Sequence, residues 1–197
     1  LGGAALRAAV RTVVQPRVEI APAAGSRSLF ARLYAGDTAI DIYTRAVSDV
    51  YQDLFGVGIY VGKGVYDVAS FRYSLEGRVP ENALASHDLF EGIHGRAALA
   101  TDIVLYEEFP EGYAEFARRW HRWLRGDWAL LPWLGRRVPA RGGERLPGRL
   151  SWLARWMILD NLRRSLLPPA LVVLLAAGWL VLPGSPWVWT GLVVAAP

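Results

Sequence analysis

The chain has 197 residues, of which 22 are Lys or Arg and 18 are Asp or Glu, giving a net charge of +4 with the histidines neutral. It contains no cysteine, which excludes disulfides, thiolate metal sites and cysteine nucleophiles, and His87, His94 and His121 form no HExxH pair of the kind a zinc hydrolase uses. The length suits one domain with a membrane piece, or part of something larger; the chain starts at Leu1 and stops inside an apolar run, so it reads as an internal fragment.

Taken in order, Val13, Val14, Val18 and Ile20 predict a strand over 12–20, interrupted at Pro16. Residues 41–55 carry Tyr43, Val47, Val50, Tyr51, Leu54 and Phe55 at helical spacing. Asp37, Asp41, Asp49 and Asp53 make two pairs spaced by four; such pairs can bind a metal, although a solvated helix face is the commoner outcome. Residues 58–65 read as a glycine-rich strand and 66–75 as a helix. Gly56, Gly58, Gly62 and Gly64 surround Lys63, the one lysine in the chain. Closely spaced glycines let backbone approach a ligand, and a lysine among them could meet a phosphate. The spacing is neither a Walker loop nor a dinucleotide fingerprint, and a tight turn is the plainer reading.

Residues 88–98 are a helix candidate and 102–107 a strand, so 1–117 alternates strands and helices in the manner of an α/β core. Asp88 opens its helix. There the helix dipole and free amides favour the carboxylate, which suits an acid that takes a proton from a hydroxyl; an ordinary N-cap is the alternative.

Residues 118–164 hold twelve arginines against three acids, and six of the nine tryptophans. The remainder is net acidic, with ten basic residues against fifteen. Arg119, Arg122 and Trp123 are spaced i, i+3, i+4 and share a helix face, where guanidinium groups could stabilise a leaving diphosphate and an indole could stack on a sugar. The alternative is an amphipathic interfacial helix with snorkelling arginines. Residues 140–150 read as a Gly/Arg-rich connection and 151–165 as a helix lying on a membrane surface.

Residues 165–197 contain no charge. Residues 166–182 as a helix reach roughly 25 Å, short but sufficient for a span. Pro183-Gly184-Ser185-Pro186 then predicts a turn, Trp187 and Trp189 the far interface, and Leu192 onward a returning helix. Basic residues beside an apolar span fit a cytoplasmic flank, and with Trp in the same stretch they favour lipid over nucleic acid.

Several long strings resemble the cyclic β-1,2-glucan synthases: residues 35–38, 41–56, 61–68 (Val-Gly-Lys-Gly-Val-Tyr-Asp-Val), 80–96 (through Ser86-His87-Asp88) and 122–128 (Arg-Trp-Leu-Arg-Gly-Asp-Trp). The likeness runs from about Gln15 to Thr190. It implies an α/β fold: the C-terminal part of a GT-A-like glycosyltransferase domain (1–117), basic Trp/Arg-rich interfacial helices (118–165) and a transmembrane hairpin (166–197). It also implies UDP-glucose as donor, a growing β-1,2-glucan as acceptor, inversion at the sugar carbon, and a multi-pass protein of the bacterial inner membrane with its catalytic part cytoplasmic. Asp88 matches the base aspartate of the wider class, and Arg119, Arg122 and Trp123 match its Q/R-x-x-R-W motif, with Arg in place of the leading Gln. Lys63 and His87 are further expectations for lining the pocket.

The resemblance further implies a divalent metal (Mg or Mn) held by donor-binding acids upstream of this stretch; residues 1–14 contain no acid. No metal ligand is expected here, and the isolated chain is expected to be inactive. A linear glucan or cellulose-type synthase and a non-catalytic, membrane-anchored glycan-binding remnant are the competing readings.

Overall fold

The computed structural model describes residues 11–35, 50–84 and 87–196. The chain divides into two compact units, Leu1–Ile158 and Leu159–Pro197.

The first unit is built on a small mixed sheet. Its central strand β1 (Val13–Ile20) runs antiparallel to β2 (Val65–Tyr66) and parallel to β3 (Ala98–Glu107). The interruption expected at Pro16 is a shift in register between Pro16 and Arg17, and the strand continues beyond it. Proline has no amide hydrogen for the ladder, so an irregularity is how an interior strand accommodates it. The short helices α1 (Pro22–Ser26) and α2 (Leu29–Tyr34) follow β1, and the Ser28 hydroxyl caps α2 by accepting from the Ala31 amide. Of the helix expected over 41–55, α3 (Val50–Phe55) is the described portion. Asp37, Asp41 and Asp49 lie outside the described residues, and Asp53 is exposed on α3.

Residues 57–64 do not form the expected strand; only Val65 and Tyr66 pair, as β2. The reason is close packing against neighbouring main chain. A Cβ at Gly58 would stand 2.8 Å from the Ala97 carbonyl oxygen, and one at Gly64 2.6 Å from that of Val14. The segment is threaded past the sheet and held by the buried Gln15 side chain, which accepts from the Val61 amide. Helix α4 (Val68–Leu75) is capped by Asp67.

Helix α5 (Asp88–Gly95) ends before the expected residue 98, because Arg96 takes the left-handed conformation (φ 52°) and turns the chain into β3. That strand accordingly starts at Ala98 rather than 102. Leu89 and Phe90 of α5 pack with Leu130, Trp133, Leu153, Met157 and Ile158 in the largest core cluster. A second cluster joins Ala24, Ala31, Ala35 and Phe109, with Phe30 and Phe116 against them.

Helix α6 (Tyr113–Ala129) starts ahead of the boundary expected at 117/118. The stretch 140–150, anticipated as a plain connection, holds the turn and second strand of a hairpin, β4 (Arg137–Pro139) paired with β5 (Arg145–Pro147), which turns through Gly142 and Gly143, both with φ near 79°. Helix α7 (Trp152–Leu180) is continuous through Pro168 and Pro169, where separate interfacial and spanning helices were expected. The two prolines remove two amide donors, yet the flanking turns keep one helical path.

In the second unit the chain turns at 181–185 into α8 (Pro186–Ala195), so Trp187 and Trp189 lie within a helix that begins at Pro186 and not at Leu192. A Cβ at Gly178 would fall 2.4 Å from that of Trp189, while Trp179 meets Trp187 edge-on at 5.5 Å and donates from Nε1 to the Thr190 hydroxyl at 3.1 Å. Among the described residues one helix, Trp152–Leu180, is long and apolar enough to cross a membrane; α8 is a shorter apolar helix.

Candidate functional site

Asp88 is the first residue of α5, with His87 at the N-cap position. Its carboxylate faces the backbone of Gly62, where a Cβ would lie 2.8–2.9 Å from the carboxylate atoms. Gly62 has φ +82°, a conformation that favours glycine in any case. The glycine-rich segment is therefore a wall of main chain against the acid. Burial pushes the Asp88 carboxyl above its ordinary range, and Glu91 adds to the rise; His87 and Lys63 oppose it. Burial is thus the largest influence on its acidity, and it acts in the opposite sense to the helix-dipole effect expected from the sequence. Tyr60 is buried beside the same helix, and burial, helped by Glu91 and Asp88, pushes its hydroxyl up to about 12.

Lys63 pairs with Glu107 at the carboxyl end of β3, and Arg119 approaches the other oxygen of the same carboxylate at 3.6 Å. Burial lowers the Lys63 pKa, and the nearby Arg119 charge lowers it further. The guanidinium of Arg119 lies over the Trp123 ring, 4.5 Å from its centre, a cation–π arrangement. One turn further along α6, the buried Asp127 stands 3.4 Å from His87 Nε2. A Cβ at Gly126 would be 3.1 Å from the His87 ring. Helix α6 is therefore tied to β3 on one side of Trp123, through Arg119 and Glu107, and to the start of α5 on the other, through Asp127 and His87.

Asp88, Lys63, Arg119 and Trp123 thus come into one neighbourhood. Arg122 lies differently: it is exposed and lines a cleft of about 390 Å³ with Glu108, Phe109, Pro110, Glu115, Arg118 and Arg119. Arg119 belongs to both, lining the cleft and sharing the Glu107 carboxylate with Lys63. His87 turns its ring toward α6. Sequence reasoning passed over Glu107 and Asp127. Glu107 ends an apolar strand and Asp127 is an acid in an arginine-rich helix, and each was legible only as an acid out of keeping with its surroundings. Among the described residues no group of three or more His, Asp or Glu is placed to hold a metal ion.

An acid at a helix tip, near a lysine that shares its carboxylate partner with an arginine–indole pair, has the equipment to accept a proton beside an anionic group. Comparison with known proteins relates the chain to a glucan synthase. It is homologous to a segment of the Cyclic beta-(1,2)-glucan synthase NdvB of Rhizobium meliloti (strain 1021), with 45% identity over 176 residues. The match covers 89% of this chain and 6% of that protein's length. No protein-family model matches the chain.

Proposed function

We propose that this segment supplies the acceptor side of an inverting glucosyltransferase centre that builds a β-1,2-glucan from UDP-glucose. The observation that carries the reading is the linkage of residues distant in sequence: Asp88 acts on Lys63, Lys63 and Arg119 share the Glu107 carboxylate, and Arg119 lies over Trp123. The kinship to a cyclic glucan synthase supports the choice of product.

In this reading Asp88 takes the proton from the 2-hydroxyl of the terminal glucose as that oxygen attacks the anomeric carbon. The bond from that carbon to the diphosphate breaks, and UDP leaves with the electron pair. A buried carboxylate is a stronger base than an exposed one, which suits proton acceptance. Arg119 and Lys63 lie where they can offset charge developing on the diphosphate, with Arg122 reaching it from the cleft side. Trp123 offers a ring face on which a sugar can stack, held in orientation by Arg119. A GT-A-like arrangement of the whole domain is part of the proposal, and α/β character with a parallel strand pair agrees with it.

In this reading a divalent Mg or Mn ion would be held by donor-binding acids upstream of this stretch.

The apolar stretch of α7 is largely exposed, unlike the core helix of a water-soluble protein, and with α8 it supports a hairpin in the inner membrane, its basic flank cytoplasmic.

Asp88→Asn in the intact synthase is expected to lower glucan elongation at least 100-fold while leaving UDP-glucose binding within about twofold. Elongation at near wild-type rate would remove Asp88 from the role of base. Linkage analysis of the product separates this reading from a cellulose-type synthase.

A further inference from the structure

Glu107 is the acid that neither the motif strings nor the mechanism above uses, yet it holds both cations of the site. One carboxylate oxygen pairs with Lys63 and the other stands 3.6 Å from Arg119 Nη2. Its backbone is fixed by the sheet: Glu107 sits opposite Ile20 in the β1–β3 register, and its carbonyl accepts from the Ala21 amide at 2.8 Å. Glu107 is therefore a stationary group. Arg119 is carried by a separate helix and held at a distance longer than a good charge-assisted hydrogen bond.

Two like charges brought together in a partly buried site repel, and the Arg119 charge acts on Lys63 in that sense. A carboxylate bridging them offsets the repulsion. An arriving diphosphate carries the same sign and also accepts from guanidinium and ammonium groups. It therefore competes with Glu107 for the same donors.

We propose that Glu107 is a positioning residue that stands in for the diphosphate when the site is empty, holding Lys63 and Arg119 in place and competing with UDP for them so that product leaves. The inference rests on the UDP-glucose reading above, and on that reading it adds a built-in means of product release. It predicts an unusual direction of change. Loss of an ordinary structural ion pair weakens ligand binding, whereas loss of a competitor strengthens it.

The test is inhibition of the intact synthase by UDP, comparing wild type with Glu107→Gln, which keeps shape and removes charge. Glu107→Gln is expected to bind UDP about three- to fivefold more tightly, the range for a partly exposed ion pair, and to turn over more slowly. Lys63→Met is expected to weaken UDP binding, and adding Glu107→Gln to it should then tighten binding less than Glu107→Gln does alone. Unchanged or weaker UDP binding in Glu107→Gln, with wild type normally inhibited, overturns the inference and leaves the donor reading standing. Wild type that neither uses UDP-glucose nor responds to UDP overturns both. Should Glu107→Gln not accumulate, Glu107→Asp serves: a side chain one methylene shorter cannot bridge both cations, and it must also tighten UDP binding for the inference to hold.

Discussion

Asp88 owes its weakened acidity to burial and to Glu91, with His87 and Lys63 pulling the other way. The sign follows directly. A carboxyl with a raised pKa keeps its proton to higher pH, so on acidification it stops accepting protons earlier than an ordinary aspartic acid, whose value is 3.8. The acid limb of kcat/KM for elongation should therefore lie above that value. Glu91→Gln should move the limb to lower pH, and Lys63→Met should move it higher. A limb that ignores both substitutions would belong to some other group. Asp88 was legible as a candidate from its motif and its place before a helical stretch. Its environment was not, because burial and the position of Glu91 depend on how Tyr60, Gly62 and α6 pack around it.

At the level of elements, the segment 57–64 shows why a run of valines, isoleucine and glycines misleads. Its composition suits a strand, but Gly58, Gly62 and Gly64 are there for close approach to Ala97, Asp88 and Val14. Gly62→Ala is expected to cost about 1–2 kcal/mol of stability from its positive φ and also to displace the Asp88 carboxylate, lowering elongation at least tenfold. Gly77→Ala is the control: it carries a similar φ of +71° with open space around it. It should share the stability loss, read by thermal denaturation, and leave elongation unchanged. Equal activity in the two variants would show that the contact with Asp88 is dispensable. Elements with strong local signals were legible in place if not in bounds: β1 and α4 fall within the stretches expected, and α5 starts at Asp88 as expected. The β4–β5 hairpin was missed because its strands are three residues each and hold no hydrophobic alternation. The separation of a surface helix over 151–165 from a span over 166–182 followed the end of the charged residues, whereas the backbone continues as one helix across that change.

For the whole molecule, the separation of character along the chain sets how it should behave. The arginine-rich 118–164 precedes a charge-free stretch whose residues stay exposed, with Leu180, Val181 and Val194 each about 80% accessible. Apolar surface on that scale is unstable in water and favourable in hydrocarbon. The intact protein should remain with membranes through high salt and carbonate washing and be released by detergent. Release by salt alone would assign the attachment to the arginines and not to α7 and α8. The division of the chain at Ile158 was not visible in the sequence, where the polar-to-apolar change falls several residues later.

The contacts Glu107–Arg119 and His87–Asp127, on either side of Trp123, fix the rotation of α6 about its own axis. One residue of slip turns a helix by about 100°, which would replace Arg119 and Trp123 by Arg118 and Arg122 at the inner face. Every arginine would still be present and the helix still amphipathic, yet the arginine–indole pair would be gone from that face. A single insertion between Gly112 and Arg118 would therefore keep every arginine in the chain and still silence the centre.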